Sequence, residues 1–353
     1  MNRLIILLLL VSGLFMISET SFAQGSISNL SVEDEYEKYR DSLMTTPYEW
    51  HLPIMGAKLR KMGFDLPNPN GFMITYANSV QDLTVSNLFV GFSPDKLIGV
   101  DGLARFNQIQ ANVNAVTARY DFWLLPFINL YAIGGYISSD TKVGLGLPFE
   151  MDFMAHSEGP TLGWGTVVAG GIGPFVMSLD YTNAYTWTGS TSEATTANVF
   201  GARVGHMFRF KKKPYRNLVV LVGGQYLGIN KSSGGDVDLD NLLGITNEDK
   251  LKASEQLDAW YDELPNKGQE IVEPLYNGLS SWLNNGKTTN LYYTFDKALH
   301  YPWSASVGFN YQHNKRYQLT CMYSFLGSRE QVVIGLSYRF GWRGKNILHG
   351  FEL

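Results

Sequence analysis

The sequence predicts an all-β protein: a transmembrane antiparallel up-and-down β-barrel, with a short helical segment ahead of it and a helical insert in one loop. Three observations predict this fold. They are a composition poor in charge and rich in rings and glycine, a side-chain alternation that recurs strand after strand, and an export signal. Charged residues make up 17% of the chain and aromatics 14%, with 20 Tyr, 20 Phe, 8 Trp and 36 Gly. No stretch after the leader approaches eighteen consecutive apolar residues, so no second helical span is expected. Apolar residues spread one in two along strands give this combination.

Met1, Asn2 and Arg3 form a basic head, Leu4 to Met16 is almost wholly apolar, and Ser21-Phe22-Ala23 offers small residues at both positions a signal peptidase reads. Residues 1–23 are therefore expected to be a signal peptide, cut before Gln24. Residues 24–66 are polar and helix-capable: Ser31 precedes Glu33 and Asp34, acids that suit a first helical turn. This segment is expected to plug the lumen, lie along the periplasmic rim or act as a spacer. Leu66-Pro67-Asn68-Pro69 ends any helix there and opens a barrel over 67–342. A tail, 343–353, follows.

The last three strands show the alternation most clearly. Trp303, Ala305, Val307, Phe309 and Tyr311 oppose Ser304, Ser306, Gly308, Asn310 and Gln312. Tyr317, Leu319, Cys321, Tyr323 and Phe325 oppose Gln318, Thr320, Met322 and Ser324. Val332, Ile334, Leu336, Tyr338 and Phe340 oppose Val333, Gly335, Ser337 and Arg339. A second face washed by water would carry Lys and Glu. This one is small and polar, as a crowded lumen requires, and rings at the strand ends form two girdles. Earlier strands are read near 71–79, 83–93, 97–107, 111–123, 127–138, 162–171, 174–187, 195–210 and 216–228, twelve in all. Counts of ten and fourteen stay open.

An even count puts both termini in the periplasm, with short turns there and long loops outside. Short turns are expected at Ser93-Pro94-Asp95-Lys96, Leu125-Pro126-Phe127, Gly171 to Pro174, Lys211 to Tyr215 and His313 to Arg316. Long outer loops are expected at 139–161, 188–194 and 229–300. The last is predicted to carry two helices. One starts at Asn247-Glu248-Asp249, with Leu251, Leu257, Trp260 and Leu264 on one face; the other spans Gln269 to Trp282, interrupted at Pro274.

Gly335-Leu336-Ser337-Tyr338-Arg339-Phe340 resembles the signal that the barrel assembly machinery reads in a final strand. Gly335, Tyr338 and Phe340 match it; Val333 stands where that pattern has a polar residue. With Asp65-Leu66-Pro67-x-Pro69 and the run Tyr120 to Tyr131, the chain over roughly 60–342 resembles a family of small uncharacterised Gram-negative outer-membrane barrels. The resemblance implies the fold and a cell outer-membrane location, and no activity.

Candidate chemistry sits on the inward face. Asp101, Arg105, Arg119, Asp121, Asp180, Arg203, Arg209 and Arg339 are placed in the lumen, either as a charged constriction for small solutes or as a salt-bridge network that closes it. A narrow pore or solute transporter is the leading expectation. A closed interaction barrel whose 229–300 insert holds a partner is the second, and a lipid-modifying barrel enzyme using His206 on the lipid-facing side the third. Asp236-x-Asp238-x-Asp240 begins like a calcium loop, but Asn241 and Asn247 stand where Gly and Glu are needed. No metal and no cofactor are expected. The expected partners are outer-membrane lipid and the assembly machinery, and the net charge of −4 points to no nucleic acid.

Overall fold

The computed structural model describes residues 37–100, 105–148, 151–188, 194–210, 213–230, 232–239, 246–285 and 290–347. The signal peptide, the Ser31 helix start, Asp101 and Asp240 lie outside them. Thirteen strands are described: β1 (Asn70–Gly91), β2 (Ile98–Gly99), β3 (Arg105–Leu125), β4 (Ile128–Leu147), β5 (Met151–Ile172), β6 (Phe175–Thr186), β7 (Thr195–Phe210), β8 (Lys213–Asn230), β9 (Ser232–Asp238), β10 (Asn290–Leu299), β11 (Trp303–Gln312), β12 (Tyr317–Phe325) and β13 (Arg329–Phe340). Ten of them, all but β2, β9 and β10, form a closed antiparallel ring, sealed where β13 pairs with β1 from Asn70↔Phe340 to Gln81↔Arg329. Closure leaves no free edge in a surround that cannot hydrogen-bond the backbone.

The ring corrects the expected twelve strands to ten. The segments 71–79 and 83–91 are one strand, β1, of 22 residues; 111–123 and the end of 97–107, from Arg105, are one strand, β3, of 21, while Ile98–Gly99 form the short β2. Polar residues at Gln81-Asp82 and Gln108-Gln110 read as breaks in the sequence, but they stay in the ladder, with Asp82 opposite Gln110. The turn at residues 93–96 therefore lies at the opposite end from the tight turns at 126–127, 173–174 and 313–316. The expected loop at 139–161 is a hairpin made by β4 and β5, of 20 and 22 residues, and the glycine-rich 162–171 stretch is part of β5.

These lengths have a physical consequence. Crossing a bilayer takes about 9–11 strand residues, so β1, β3, β4 and β5 run on beyond any membrane. Their outward side chains change accordingly. Ile74, Val116, Leu162, Val168, Val204, Val222, Ile334 and Leu336 are exposed on the outside of the ring. Further along the long strands the same face carries Asn78, Asn112 and Asn114, which bond one another across the ladder. Tyrosines mark the border: Tyr76 Oη donates to Asn114 and Tyr181 Oη to Asn198. Tyr120, Phe175, Phe208, Tyr317 and Tyr338 are exposed near the other end. An exposed apolar band between two ring-bearing borders is the exterior that lipid requires.

Beyond the upper border, on β5, His156 Nδ1 lies 2.7 Å from Asp140 Oδ1, and its Nε2 lies 3.6 Å from Glu158. The hydrogen bond with Asp140, followed by the charges of Asp140 and Glu158, raises the imidazole above its ordinary value. Its charged form is therefore favoured. The pairing is full below the ordinary histidine pKa and is lost as pH rises through the raised one. In a histidine-resolved NMR titration, His156 should have the higher midpoint in the parent protein, and Asp140→Asn should bring it down.

At the end away from the tight turns, β9 follows β8 across residue 231 and pairs with β10. β10 pairs with β1 from Leu83↔Leu299, just above the point where β13 stops. A bulge between Ser86 and Phe89, with Asn87 at φ 53°, shifts the phase, so Val85, Leu88 and Val90 continue the lumen-facing side of β1. On that side pack two helices, α3 (Asn247–Glu263) and α4 (Asn266–Asn285). They share one apolar core: Ala253, Leu257, Trp260, Val272, Leu275, Leu279, Trp282 and Leu283 against Leu88, Val90 and Val100. The pair thus forms a cap on the lumen-facing side of β1 beyond the β13 pairing. Thr246 caps α3 with its side chain on the Asp249 N–H, and Asp249 returns the bond; this holds the Asp249 carboxyl below its ordinary value. Pro274 lies inside α4, which runs unbroken from Asn266, earlier than the sequence pattern indicates.

The described part of 24–66 lies at the opposite end. A helix at 37–45 (α1) and the short α2 (Gly56–Lys61) lie here, with Tyr39 of α1 bonded to Asp65 and the Ala57 N–H of α2 donating to Asn346 Oδ1 of the tail. Ile54 N–H donates to Leu124 O, Asp65 pairs with Lys315 at 2.8 Å, and Asn68 Nδ2 donates to Lys315 O. The C-terminal tail locks this strap, with Asn346 Nδ2 donating to the carbonyls of Trp50, His51 and Pro53. The strap's described residues, 37–66, lie along the rim.

Candidate functional site in the lumen

The inward face of the ring brings together charges from strands far apart in sequence. Near the tight-turn end, Asp121 on β3 accepts from Arg339 Nη2 on β13 at 3.1 Å and from Asn129 Nδ2 on β4 at 2.7 Å. Arg119 donates to Asn129 Oδ1 at 2.8 Å, has its Nε 3.8 Å from Asp121, and lies 3.7 Å over the Tyr131 ring. Arg339 Nε also donates to Asn68 O, tying the cluster to the strap. Asp121, Asn129 and Arg339 are all buried, so each charge is desolvated and each is bonded.

Two glycines make room for this cluster. A Cβ on Gly71 would stand 2.6 Å from Asp121 Oδ2 and 2.9 Å from Arg339 Nη1. One on Gly165 would stand 2.4 Å from the Tyr131 ring, which is anchored by its hydroxyl to the Tyr181 carbonyl and to Thr182. The abundant glycine of the sequence is thus partly a condition for large side chains to fold flat across a narrow lumen.

A second pair stands on β6 and β7, where Arg203 bonds Asp180. A third cation, Arg329, opens β13. It is 4% exposed, its Nη2 donates to Ser304 Oγ at 3.3 Å, and its Nε has no partner. Sequence reading missed it, because the final strand was begun at Gln331. The signal was available: 339, 337, 335, 333 and 331 face inward, and the same alternation carried on reaches 329.

The other expected residues fall elsewhere. Arg105 opens β3 at the cap end, opposite Leu147. Arg209 is exposed at the tight-turn end of β7. Tyr338 projects outward and stacks near Phe340, with ring centroids 6.1 Å apart. Gly335 faces inward, where a Cβ would meet Met73 Cε at 2.0 Å.

His206 lies between the outward rings of Phe175 and Phe208, with centroids 5.6 and 4.5 Å away. Its Nδ1 is buried with no partner, so among the described residues no acid orients it toward a nucleophile. Asp236 and Asp238 belong to the extended strand β9 and pair across to Tyr292 and Asn290, a straight backbone in place of a calcium turn.

No protein-family model matches the chain, and no curated protein matches it. Among solved structures it is similar to the β-domain of the Bordetella autotransporter Brka, with 8% identity and a TM-score of 0.37 over 77% of this chain and 100% of that one. It is also similar to the translocator domain of the autotransporter NalP from Neisseria meningitidis, at 10% identity and 0.32 over 89% and 98%. A third is the outer membrane protein OprG from Pseudomonas aeruginosa, at 10% and 0.33 over 78% and 98%. Likenesses of this size carry no argument about activity.

Proposed function

We propose that this chain is an outer-membrane barrel that passes small polar solutes through a narrow lumen, held shut at rest by its own ion pairs. The exposed apolar band supports the membrane setting. The outward aromatics at the end of β13 suit recognition by the assembly machinery. The observation that carries passage is the inward face itself: Arg119, Asp121, Asp180, Arg203, Arg329 and Arg339 occupy a lumen that apolar packing would fill at lower cost. Ionic partners can separate and re-form around a charged or hydrogen-bonding solute, whereas interlocked hydrocarbon cannot.

The test is planar-bilayer recording on the full chain. The parent should give little steady current. Asp121→Ser combined with Arg339→Ser, which replaces the lower cluster with small hydroxyls, should give a sustained conductance. Silence from both proteins would remove passage.

A second reading, a permanently closed barrel displaying the α3–α4 cap to a partner, draws on the burial of Asp121, Asn129 and Arg339. It predicts that deleting 246–285 abolishes partner capture while the barrel still assembles.

A further inference from the structure

Arg329 is a buried charge that no described residue neutralises. Among the described residues no carboxylate reaches it; its one side-chain bond is to Ser304. The Arg203 guanidinium is close enough to repel it. Arg203 has spent its own carboxylate, Asp180, on one Nη, and its Nε is also buried without a partner. Between them, Ser306 on β11 has a buried Oγ with no partner. Register puts these groups on one arc of wall: Ser306 stands opposite Gly223 on β8, and Gly223 stands opposite Arg203. Ser304 is already filled, since its hydroxyl donates to the Gln225 carbonyl while accepting from Arg329. Two guanidinium Nε–H groups and the Ser306 hydroxyl, with one positive charge in excess, are left as donors without a partner.

We propose that this arc is an anion site in the lumen, taking the carboxylate of a small organic acid. A carboxylate matches the planar fork of a guanidinium with two parallel hydrogen bonds, and hydroxyl donors can fill its remaining lone pairs. Ser306 donates to it from β11, Arg329 supplies the neutralising charge from β13 with Ser304 holding its Nη2 in place, and Arg203 contributes its free Nε–H from β7. This rests on the reading of the barrel as a solute passage and names the solute class it favours. The lower cluster, with Arg119 and Arg339 sharing Asp121, would then be the gate beyond the site.

The experiment is thermal unfolding of the full-length folded barrel in detergent micelles. Acetate replaces the bulky HEPES anion at constant sodium concentration. A ligand bound only by the folded form raises the melting temperature in proportion to the logarithm of its concentration. The parent is expected to rise with acetate, and Arg329→Met to show no rise. Ser306→Ala, a small change that leaves the charge in place, should need roughly tenfold more acetate for the same rise, the loss expected for a hydrogen bond to a charged group. A parent indifferent to acetate, or an Arg329→Met protein that rises equally, overturns the site. Should Arg329→Met not fold, the parent and Ser306→Ala titrations still decide. Bilayer recording separates the two claims: acetate binding with no current from either the parent or the Asp121→Ser, Arg339→Ser protein keeps the site and removes passage, while current from that double variant without acetate binding by the parent removes the site alone.

Discussion

Asp121→Asn is expected to destabilise the barrel by about 3–5 kcal/mol, the range for removing one partner of a buried ion pair. Asp121 is the only acid bonded to Arg339 among the described residues, and both side chains are almost wholly out of solvent. Arg119 stands 3.8 Å from the same carboxylate. Removing the acid leaves two guanidinium groups in one desolvated space. Arg119 can lean on the Tyr131 ring and Asn129, but Arg339 keeps only the Asn68 carbonyl. Equilibrium urea unfolding in lipid vesicles, followed by tryptophan fluorescence, measures the loss. Asp121→Asn with Arg339→Met should recover most of it, because the charge and its partner leave together; the two changes should be strongly non-additive. A loss below about 1 kcal/mol, the value for a solvated pair, would mean that water already reaches Arg339 and that the lumen is open at rest.

Much of this architecture is written in local pattern. A period of two with rings on one face and small polar residues on the other needs only neighbouring residues to be seen, which is why β11 and β12 are legible end to end and β13 from Gln331 on. What local pattern cannot show is where a strand leaves the membrane. At Gln81-Asp82 and Gln108-Gln110 the outward residues turn polar because the wall has risen out of lipid, and a polar interruption looks the same in sequence as a turn. Each misread break added one strand, so ten became twelve while the parity stayed even.

The lumen divides in the same way. Facing follows from alternation, so Arg119, Asp121, Asp180, Arg203 and Arg339 can be put on the inner side from sequence alone. Pairing does not follow from it. Asp121 meets Arg339 only because β13 closes against β1 with Gly71 opposite Arg339, while β3 sets Asp121 opposite the same glycine. That register belongs to the closed ring and to no single strand. Arg329 was hidden for a related reason: Ser328-Arg329-Glu330 reads as a polar turn until the ladder Gln81↔Arg329 is known.

Trp282→Ala is expected to melt the cap and leave the barrel folded. The indole is 1% exposed, at the centre of the α3–α4 core with Leu257, Val272 and Leu279, and Lys250 Nζ lies 4.9 Å over its ring. Truncating a buried tryptophan costs about 3–5 kcal/mol. A pair of helices of 17 and 20 residues on an open sheet has too small a core to hold more than a few kcal/mol in reserve. The loss should therefore exceed the stability of the cap, while the ten-strand ladder, which meets this core only at the far ends of β1 and β3 through residues such as Leu88, Val90 and Phe106, keeps its own hydrogen bonds. Hydrogen exchange reads the outcome directly: amides of 247–285 should lose protection and those of β3 to β8 should keep it. Thr246→Ala, which removes one capping bond worth about 1 kcal/mol, should leave the helices protected. If Trp282→Ala instead unprotects the barrel strands as well, cap and ring form one cooperative unit. The cap would then be part of the wall that keeps the lumen shut, and opening the passage would require the barrel itself to deform.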